Sequence, residues 1–220
     1  FTFPHIGNVG TNKNDNESPI PTAIGVITKA KPTAPSNWRN EMSFDKWCND
    51  NKIIGLYGID TRALTRRIRE LGAPKALMHF NQNGNHDLEL LCSMLESWPG
   101  IKGRDLTNKI NLINKQNKKN GTSRRDASTK IVVFDFGTKA NIIHCLEKDE
   151  VEVEIVSGKA TFEEIIELNP DGILLSNGPG DPAATDKFTN QVLKKLVKNT
   201  SLPIFGICLG HQLLGLALGA

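Results

Sequence analysis

Strand-like apolar runs alternate with helix-like segments along the second half of the chain, and this alternation constrains the fold more than any other feature. Residues 130–136 (KIVVFDF) form an unbroken apolar run, typical of a strand buried on both faces. Further strands are predicted at 151–156, 172–176 and 203–207, and helices at 139–148, 161–168 and 188–199. Parallel strands joined by helices form a doubly wound sheet. An incomplete α/β domain with a mostly parallel sheet is therefore predicted for residues 130–220.

The first half is less regular and predicts a smaller mixed α/β domain over residues 1–110. A strand is expected at 23–28 and a helix at 61–71, the helix capped by Asp60 and ended by Gly72. The helix has an apolar stripe that is expected to pack inward, and its arginines are expected to face solvent or a partner. The stripe consists of Leu64, Ile68 and Leu71. Residues 111–129 are rich in Asn, Lys and Gln, which predicts a linker between the two domains.

Composition excludes several classes of function. The net charge of +3 is too small to indicate a nucleic-acid-binding protein. The four cysteines form no CxxC pair, so we expect a reducing, cytoplasmic environment and no metal site. Residues 202–220 are long and apolar, but Pro203, His211 and Gln212 interrupt them, which favours a buried strand and helix over a membrane span. The chain starts inside a predicted strand and ends inside a predicted helix, so we expect it to be an internal fragment of a longer protein.

The sharpest local motif is a cysteine flanked by glycines, Gly206-Ile-Cys208-Leu-Gly210, between a predicted buried strand and a predicted helix. This G-x-C-x-G pattern is typical of a nucleophile elbow, where the sharp turn needs small neighbours on both sides of the nucleophile. The helix N-terminus favours the thiolate form of Cys208. The amide of Leu209 is expected to stabilise an oxyanion. The alternative is an ordinary buried core cysteine, which paired glycines do not favour.

A second motif, residues 176–182 (SNGPGDP), also follows a predicted strand. Ligands bind outside the carboxyl ends of the strands in open α/β sheets, so this loop and Cys208 are expected at one edge of the sheet. The pattern fits neither a dinucleotide fingerprint nor a P-loop. By itself the loop is compatible with a simple turn, but beside the elbow it is a candidate second wall of a pocket.

Together, SNGPGDP and the elbow at 205–212 (FGICLGHQ) resemble the class I glutamine amidotransferases. The first half resembles the amino-terminal domain of carbamoyl phosphate synthetase small subunits. Three segments carry this second resemblance: residues 3–11 (FPHIGNVGT), 36–39 (SNWR) and 58–65 (GIDTRALT). Together the two resemblances cover essentially the whole chain, and they are weakest in the linker.

The resemblance implies a site and a reaction. Cys208 would attack the side-chain amide of L-glutamine, release ammonia and form a thioester that water hydrolyses. Leu209 and Gly178 would supply oxyanion amides, and Gly180 and Gln212 would line the glutamine pocket. Ammonia would pass to a large partner subunit that uses ATP, Mg²⁺ and bicarbonate to make carbamoyl phosphate for arginine and pyrimidine synthesis. No cofactor is expected in this chain itself, and the two subunits would form a heterodimer.

Some parts of the family's site have no counterpart in these residues. The resemblance places the base histidine and its orienting glutamate after the elbow, beyond residue 220, and a pocket serine before residue 1. His211 is fixed on the elbow helix, where it is poorly placed to act as a base, so a packing role is expected for it. The 220 residues alone are therefore expected to show little steady-state glutaminase activity.

Two other functions are compatible with parts of the sequence. The chain could belong to another class I amidotransferase, such as one serving anthranilate or guanylate synthesis, but the first domain argues against that. In this form it could also act only as a catalytically silent docking module. An intact elbow cysteine argues against docking as the sole role.

Overall fold

The computed structural model describes two compact units. The described residues are 1–7, 10–18, 21–72, 74–107, 129–148 and 151–220, apart from the side chains of 186 and 187. One unit comprises Phe1–Asn16 and Ile20–Gly100, and the other Glu17–Pro19 and Ile101–Ala220. Residues 101–107, which the sequence placed in the first domain, thus belong to the second unit. The predicted linker at 111–129 lies outside the described residues except for Thr129.

Within its described residues, the first unit contains a small parallel β-ribbon and three helices. In chain order its elements are a 3₁₀ turn at Lys13–Asp15, β1 Gly25–Ile27, α1 Phe44–Asp50, β2 Ile54–Leu56, α2 Thr61–Leu71 and α3 Leu88–Ser97. Strands β1 and β2 pair in parallel, with Gly25 opposite Ile54. The predicted mixed α/β character is therefore present in this unit.

Helix α2 has the bounds that its end signals predict. The Asp60 carboxylate accepts the Ala63 N–H at 3.0 Å, and Gly72 ends the helix with φ 83°. The prediction that its apolar stripe packs inward is wrong, however, because Ile68 is 39% exposed and Leu71 is 69% exposed. The predicted strand at the start of the chain is also absent, since Phe1 and Phe3 are exposed and lie outside any strand.

The second unit is a four-stranded parallel sheet with helical crossovers, which confirms the predicted fold class. In chain order its elements are β3 Lys130–Asp135, α4 Ala140–Lys148, β4 Glu152–Ser157, α5 Phe162–Glu167, β5 Gly172–Leu175, α6 Pro182–Asn199, β6 Ile204–Gly206 and α7 Leu209–Leu218. The strand order is β4-β3-β5-β6, and all neighbours are parallel. From β3 the chain moves first to β4 on one side and then to β5 on the other. The topological switch point therefore lies between β3 and β5.

The core of this unit lies mainly on one face of the sheet. Alternate residues of β3, Val132 and Phe134, join a buried cluster with Leu193 of α6 and Leu213 of α7. Val133 is equally buried but points to the opposite face, because side chains alternate along a strand. Burial of both faces explains why residues 130–136 read as a continuous apolar run.

Two predictions near the elbow differ from the structure. Among the described residues β6 pairs only with β5, and its Phe205 is 65% exposed, so β6 is an edge strand rather than the buried strand predicted. Helix α6 begins at Pro182, six residues before the predicted start. The Asp181 carboxylate caps α6 and Pro182 occupies its first turn, which extends the helix into residues that look like a loop.

Helix α7 ends at Leu218, where Gly219 adopts a left-handed conformation as the C-cap. The sequence predicted that this helix continues through Ala220, so the observed helix is two residues shorter than the predicted one. Within the described part of the chain, no helix combines the length and the apolar character needed to cross a bilayer.

The capping box of α5 gives a prediction about acid stability. Thr161 Oγ1 accepts the Glu164 N–H at 3.2 Å, and the Glu164 carboxylate accepts the Thr161 N–H at 2.7 Å. The Thr161 amide, followed by its hydroxyl, holds the pKa of Glu164 below its ordinary value of 4.5. A lowered carboxyl pKa stabilises the fold above the unfolded pKa, and this stabilisation is lost as pH falls through the folded pKa. We expect the urea midpoint of Glu164→Gln to fall less steeply than that of the wild type below about pH 4.5.

The measurement is urea unfolding followed by circular dichroism at a series of pH values. Glu163→Gln removes a neighbouring carboxylate that lies 3.6 Å from Lys195, and it serves as the control. Equal pH dependence in Glu164→Gln and the wild type would contradict the prediction.

Candidate active site

Cys208 occupies the sharp turn between β6 and α7, with its side chain exposed. Its backbone has φ 51° and ψ −106°, a strained conformation for a residue other than glycine. Such strain costs about 1–3 kcal/mol and persists only where the surrounding structure enforces it. The turn therefore presents a thiol outward at the N-terminus of α7 at a cost in stability.

Backbone hydrogen bonds to the end of β5 hold this turn in place. The Ile207 N–H donates to the Leu175 carbonyl at 2.9 Å, and the Gly210 N–H donates to the Ser176 carbonyl at 3.1 Å. The Gln212 N–H donates to the Cys208 carbonyl at 3.0 Å, which closes the first turn of α7. Hydrogen bonds thus hold the backbone on both sides of Cys208, and they account for its positive φ.

The two flanking glycines are required by steric contacts. A Cβ atom on Gly206 would lie 2.6 Å from the backbone nitrogen of His211, and one on Gly210 would lie 2.6 Å from the carbonyl carbon of Leu175. Both distances are shorter than any ordinary Cβ contact. The small residues predicted around the elbow are therefore explained by the close approach of α7 to the sheet.

Gly178 forms a wall of the site beside Leu209. A Cβ on Gly178 would collide with the Phe136 carbonyl oxygen and would lie 2.8 Å from the Cβ of Phe136 and 2.9 Å from Cδ2 of Leu209, so Phe136 and Leu209 leave no room for a side chain. Among the described residues, the amides of Gly178 and Leu209 donate to no acceptor. Gly178 thus lies against the side chain of Leu209, the residue that follows Cys208. Unbonded N–H groups of this kind can stabilise an oxyanion.

Three polar residues bond the loops at the switch point: Asp135, which the sequence analysis missed, orders the loop after β3, and Ser176 and Asn177 of the SNGPGDP motif connect that loop to the one after β5. Asp135 Oδ1 accepts the backbone N–H groups of Gly137 and Thr138, each at 2.9 Å. Ser176 Oγ accepts the Phe136 N–H at 3.0 Å. Asn177 Nδ2 donates to the Gly137 carbonyl at 3.1 Å. The signal for them was their place in the sequence, with Asp135 at the end of β3 and the other two directly after β5, where a doubly wound sheet builds its site.

Gly180 and Gln212, the other predicted pocket residues, lie further along their elements. Gly180 has φ 110° and forms an antiparallel bridge with Asp105. Gln212 is exposed one turn into α7. No described contact joins Gly180 or Gln212 to the Cys208 thiol, so their roles in lining the glutamine pocket stay predictions.

His211 is exposed, so the packing role expected for it is wrong. It lies on the first turn of α7, and within the described residues its ring makes no hydrogen bond to Cys208. Its position gives no support for a role as the base.

Comparison with known proteins matches each unit to a separate family. Residues 132–220 match the family model for class I glutamine amidotransferase. Residues 1–78 match the model for the CPSase domain of the carbamoyl-phosphate synthase small chain. One match lies in each of the two halves that the sequence analysis distinguished.

Curated relatives match over the whole chain. Three of them, all called carbamoyl phosphate synthase small chain, are from Agrobacterium fabrum, Zymomonas mobilis and Brucella ovis, and they are 47%, 43% and 45% identical to it. This chain belongs to the carbamoyl phosphate synthase small chain family. Each alignment includes 100% of the chain, which spans 58%, 61% and 56% of the respective relatives. The match over residues 1–78 argues against the alternative of an amidotransferase from another pathway.

The steric argument predicts opposite outcomes for two glycines of the same helix. Gly210→Ala should lower stability by about 1–3 kcal/mol or more, because its Cβ would collide with the backbone of Leu175. Gly215→Ala should be neutral or stabilising by up to about 1 kcal/mol, because the nearest atom to its Cβ is 3.9 Å away and alanine favours helices. Thermal melting of both variants tests this, and equal melting temperatures would refute the close approach.

Proposed function

We propose that the protein is the glutamine-hydrolysing subunit of a carbamoyl phosphate synthetase. It hydrolyses L-glutamine to glutamate and supplies ammonia to a large subunit that makes carbamoyl phosphate from bicarbonate and ATP. The observation that carries this proposal is the exposed, strained Cys208 beside the unbonded amides of Leu209 and Gly178. Family membership over both halves supports it.

In the proposed reaction the Cys208 thiolate attacks the side-chain amide carbon of glutamine. A carbon–sulfur bond forms, and the carbonyl oxygen takes up negative charge that the amides of Leu209 and Gly178 stabilise. The carbon–nitrogen bond then breaks, and the nitrogen leaves as ammonia after it gains a proton. Water attacks the resulting thioester, which releases glutamate and restores the thiol. Gly180 and Gln212 hold the substrate in this scheme.

This scheme needs a group that takes the thiol proton and returns it to the leaving nitrogen. His211 does not fill that role, because it is held on the same helix turn as Cys208 and has no hydrogen bond to it among the described contacts. We assign the base to a histidine, oriented by a glutamate, outside these 220 residues. The greater length of the curated relatives is consistent with this assignment.

The proposed partner is a large subunit that binds ATP and Mg²⁺. Ammonia is lost if it escapes to solvent, so a stable heterodimer is expected, in the cytoplasm, serving arginine and pyrimidine synthesis. The exposed arginines of α2 are the candidate docking surface, since arginine is enriched at interfaces and pairs with carboxylates. Ile68 and Leu71 are also exposed on this helix, and their side chains add apolar area to the candidate docking surface.

The first functional prediction concerns the nucleophile. In the full-length gene product, Cys208→Ser should lower glutamine-dependent carbamoyl phosphate synthesis by about three orders of magnitude or more, because the thiol forms the covalent bond. Synthesis from added ammonia should stay near the wild-type rate, because the partner's chemistry does not use the thiol. Both rates are measured in the purified complex. Cys145→Ser, at an exposed cysteine of α4, is the control and should change neither rate.

Glutamine-dependent turnover near the wild-type rate in Cys208→Ser would contradict the proposed function. Loss of both activities together would indicate that the variant disturbs the complex rather than the chemistry.

The second functional prediction concerns the partner. Arg66→Glu or Arg67→Glu should weaken co-elution of the two subunits, while changing the stability of the small subunit by less than about 0.5 kcal/mol. Lys194→Glu makes the same charge change on an exposed position of α6 and is the control. Size-exclusion co-elution and thermal melting are measured for all three variants. Unchanged co-elution in both arginine variants would show that α2 faces solvent and that docking uses another surface.

A further inference from the structure

The loop that carries Gly180 is bonded to residues 103–106, which lie far away in the sequence. We call residues 103–106 the strap. The Gly103 N–H donates to the Asp181 carboxylate at 2.9 Å, and the Asp181 N–H donates to the Arg104 carbonyl at 3.2 Å. Asp105 and Gly180 form an antiparallel bridge between these two bonds. The strap and the loop belong to the same compact unit.

The two carboxylate oxygens of Asp181 have different partners. Oδ1 accepts the Ala183 N–H at 3.0 Å and caps α6, whereas Oδ2 accepts the Gly103 N–H of the strap. These bonds, with that from Gly103 the larger contribution, hold the pKa of Asp181 below its ordinary value of 3.8. A single side chain thus starts a helix and fastens the loop in front of it to the strap.

The strap fixes how Gly180 presents its backbone. The N–H and carbonyl groups of a trans peptide point in opposite directions. Because the Asp181 N–H points to the strap, the Gly180 carbonyl of the same peptide points away from it. Among the described residues the Gly180 amide donates to no acceptor. A Cβ on Gly180 would lie 3.0 Å from the Arg104 carbonyl oxygen, so the contact with the strap is close.

We infer that Asp181 and the strap position Gly180 for binding the glutamine substrate, with Asp181 as a positioning residue that does not itself touch the substrate. The inference rests on the proposed function of the site. The residue pair Pro179-Gly180 needs such support, because Gly180 holds φ 110°, a conformation that glycine enters and leaves easily. Without the strap, substrate binding would have to order the loop, which weakens binding and leaves the chemistry at Cys208 unchanged.

Asp181→Asn separates the two tasks of this side chain. Asparagine is as good an N-cap as aspartate, so its side-chain oxygen keeps the bond to the Ala183 N–H. Its side-chain NH₂ group then faces the Gly103 N–H, and two donors cannot bond to each other. The variant therefore keeps the cap of α6 and loses the fastening to the strap. Asp87→Asn makes the same change at the cap of α3, where the side chain accepts the Leu90 N–H, and is the matched control.

The experiment measures glutamine hydrolysis by the full-length complex as a function of glutamine concentration. In Asp181→Asn we expect KM for glutamine to rise about ten-fold, with kcat within about two-fold of the wild type. Ammonia-dependent synthesis should be unchanged, and the melting temperature should change no more than in Asp87→Asn. If Asp181→Asn folds poorly, Asp181→Ser keeps a capping oxygen and removes the second acceptor, and the same rise in KM is expected.

A second readout separates positioning from general damage. A glutamine-shaped chloroketone should label Cys208 with a half-saturation concentration about ten-fold higher in Asp181→Asn, whereas iodoacetamide should label it at the wild-type rate. Peptide mass mapping distinguishes Cys208 from the other exposed cysteines, Cys92 and Cys145.

The outcomes are distinct. A wild-type complex that releases no ammonia from glutamine overturns the proposed function, and the inference with it. An active wild type with an unchanged KM in Asp181→Asn overturns the inference alone. A fall in kcat and melting temperature without a change in KM also overturns it, because that result indicates a structural role only.

Discussion

The first turn of α7 approaches the carboxyl end of β5 so closely that no side chain fits between them, and the position of the Cys208 thiol depends on that approach. The Gly210 N–H reaches the Ser176 carbonyl because Gly210 carries no Cβ, which would collide with Leu175. The bond from Ile207 to Leu175 fixes the other side of the turn. Each of these bonds contributes about 1 kcal/mol net, which is comparable to the cost of the positive φ at Cys208. The strained turn is thus stable only where helix and sheet are in contact.

The same approach determines where the amide of Leu209 lies. The Leu209 side chain is buried in the core while its N–H remains unbonded among the described residues, so core packing sets the direction of the first helical peptide. Across the switch point, Ser176 and Asn177 connect the loops after β3 and β5 through bonds to Phe136 and Gly137. The loop that carries Gly178 is therefore fixed relative to β3 before any substrate binds, a condition for electrostatic stabilisation of a transition state.

The features that local chemistry determines were predictable from the sequence. Strand β3 follows from its continuous apolar run, and α2 follows from Asp60 and Gly72 at its ends. Thr161 and Glu164 have the sequence spacing of a capping box, and that box is present at the start of α5. The paired glycines of the elbow also identified the turn, because the contacts that exclude a Cβ act within one strand and the next helix.

Features that depend on distant neighbours were not predictable. The apolar sequence of β6 suggests burial, yet Phe205 is exposed because the described sheet ends at this strand. The start of α6 was not predicted because Asp181 and Pro182 are typical of both a turn and a helix N-terminus. The strap was missed because its bond to Asp181 spans 78 residues and comes from a glycine amide, which no side-chain pattern reveals.

The two sides of the site are therefore held by interactions of different kinds. Close backbone contacts at Gly206 and Gly210 enforce the Cys208 turn, and such contacts are steep, so the turn has little freedom to move. The Gly180 loop is held by two hydrogen bonds to the strap, and single hydrogen bonds make only a modest net contribution to stability. A small displacement of residues 103–106 would move the Gly180 backbone, whereas only a much larger one would move the Cys208 thiol. Affinity for the substrate can consequently change while the geometry at the reacting sulfur stays the same, because separate parts of the unit determine the two.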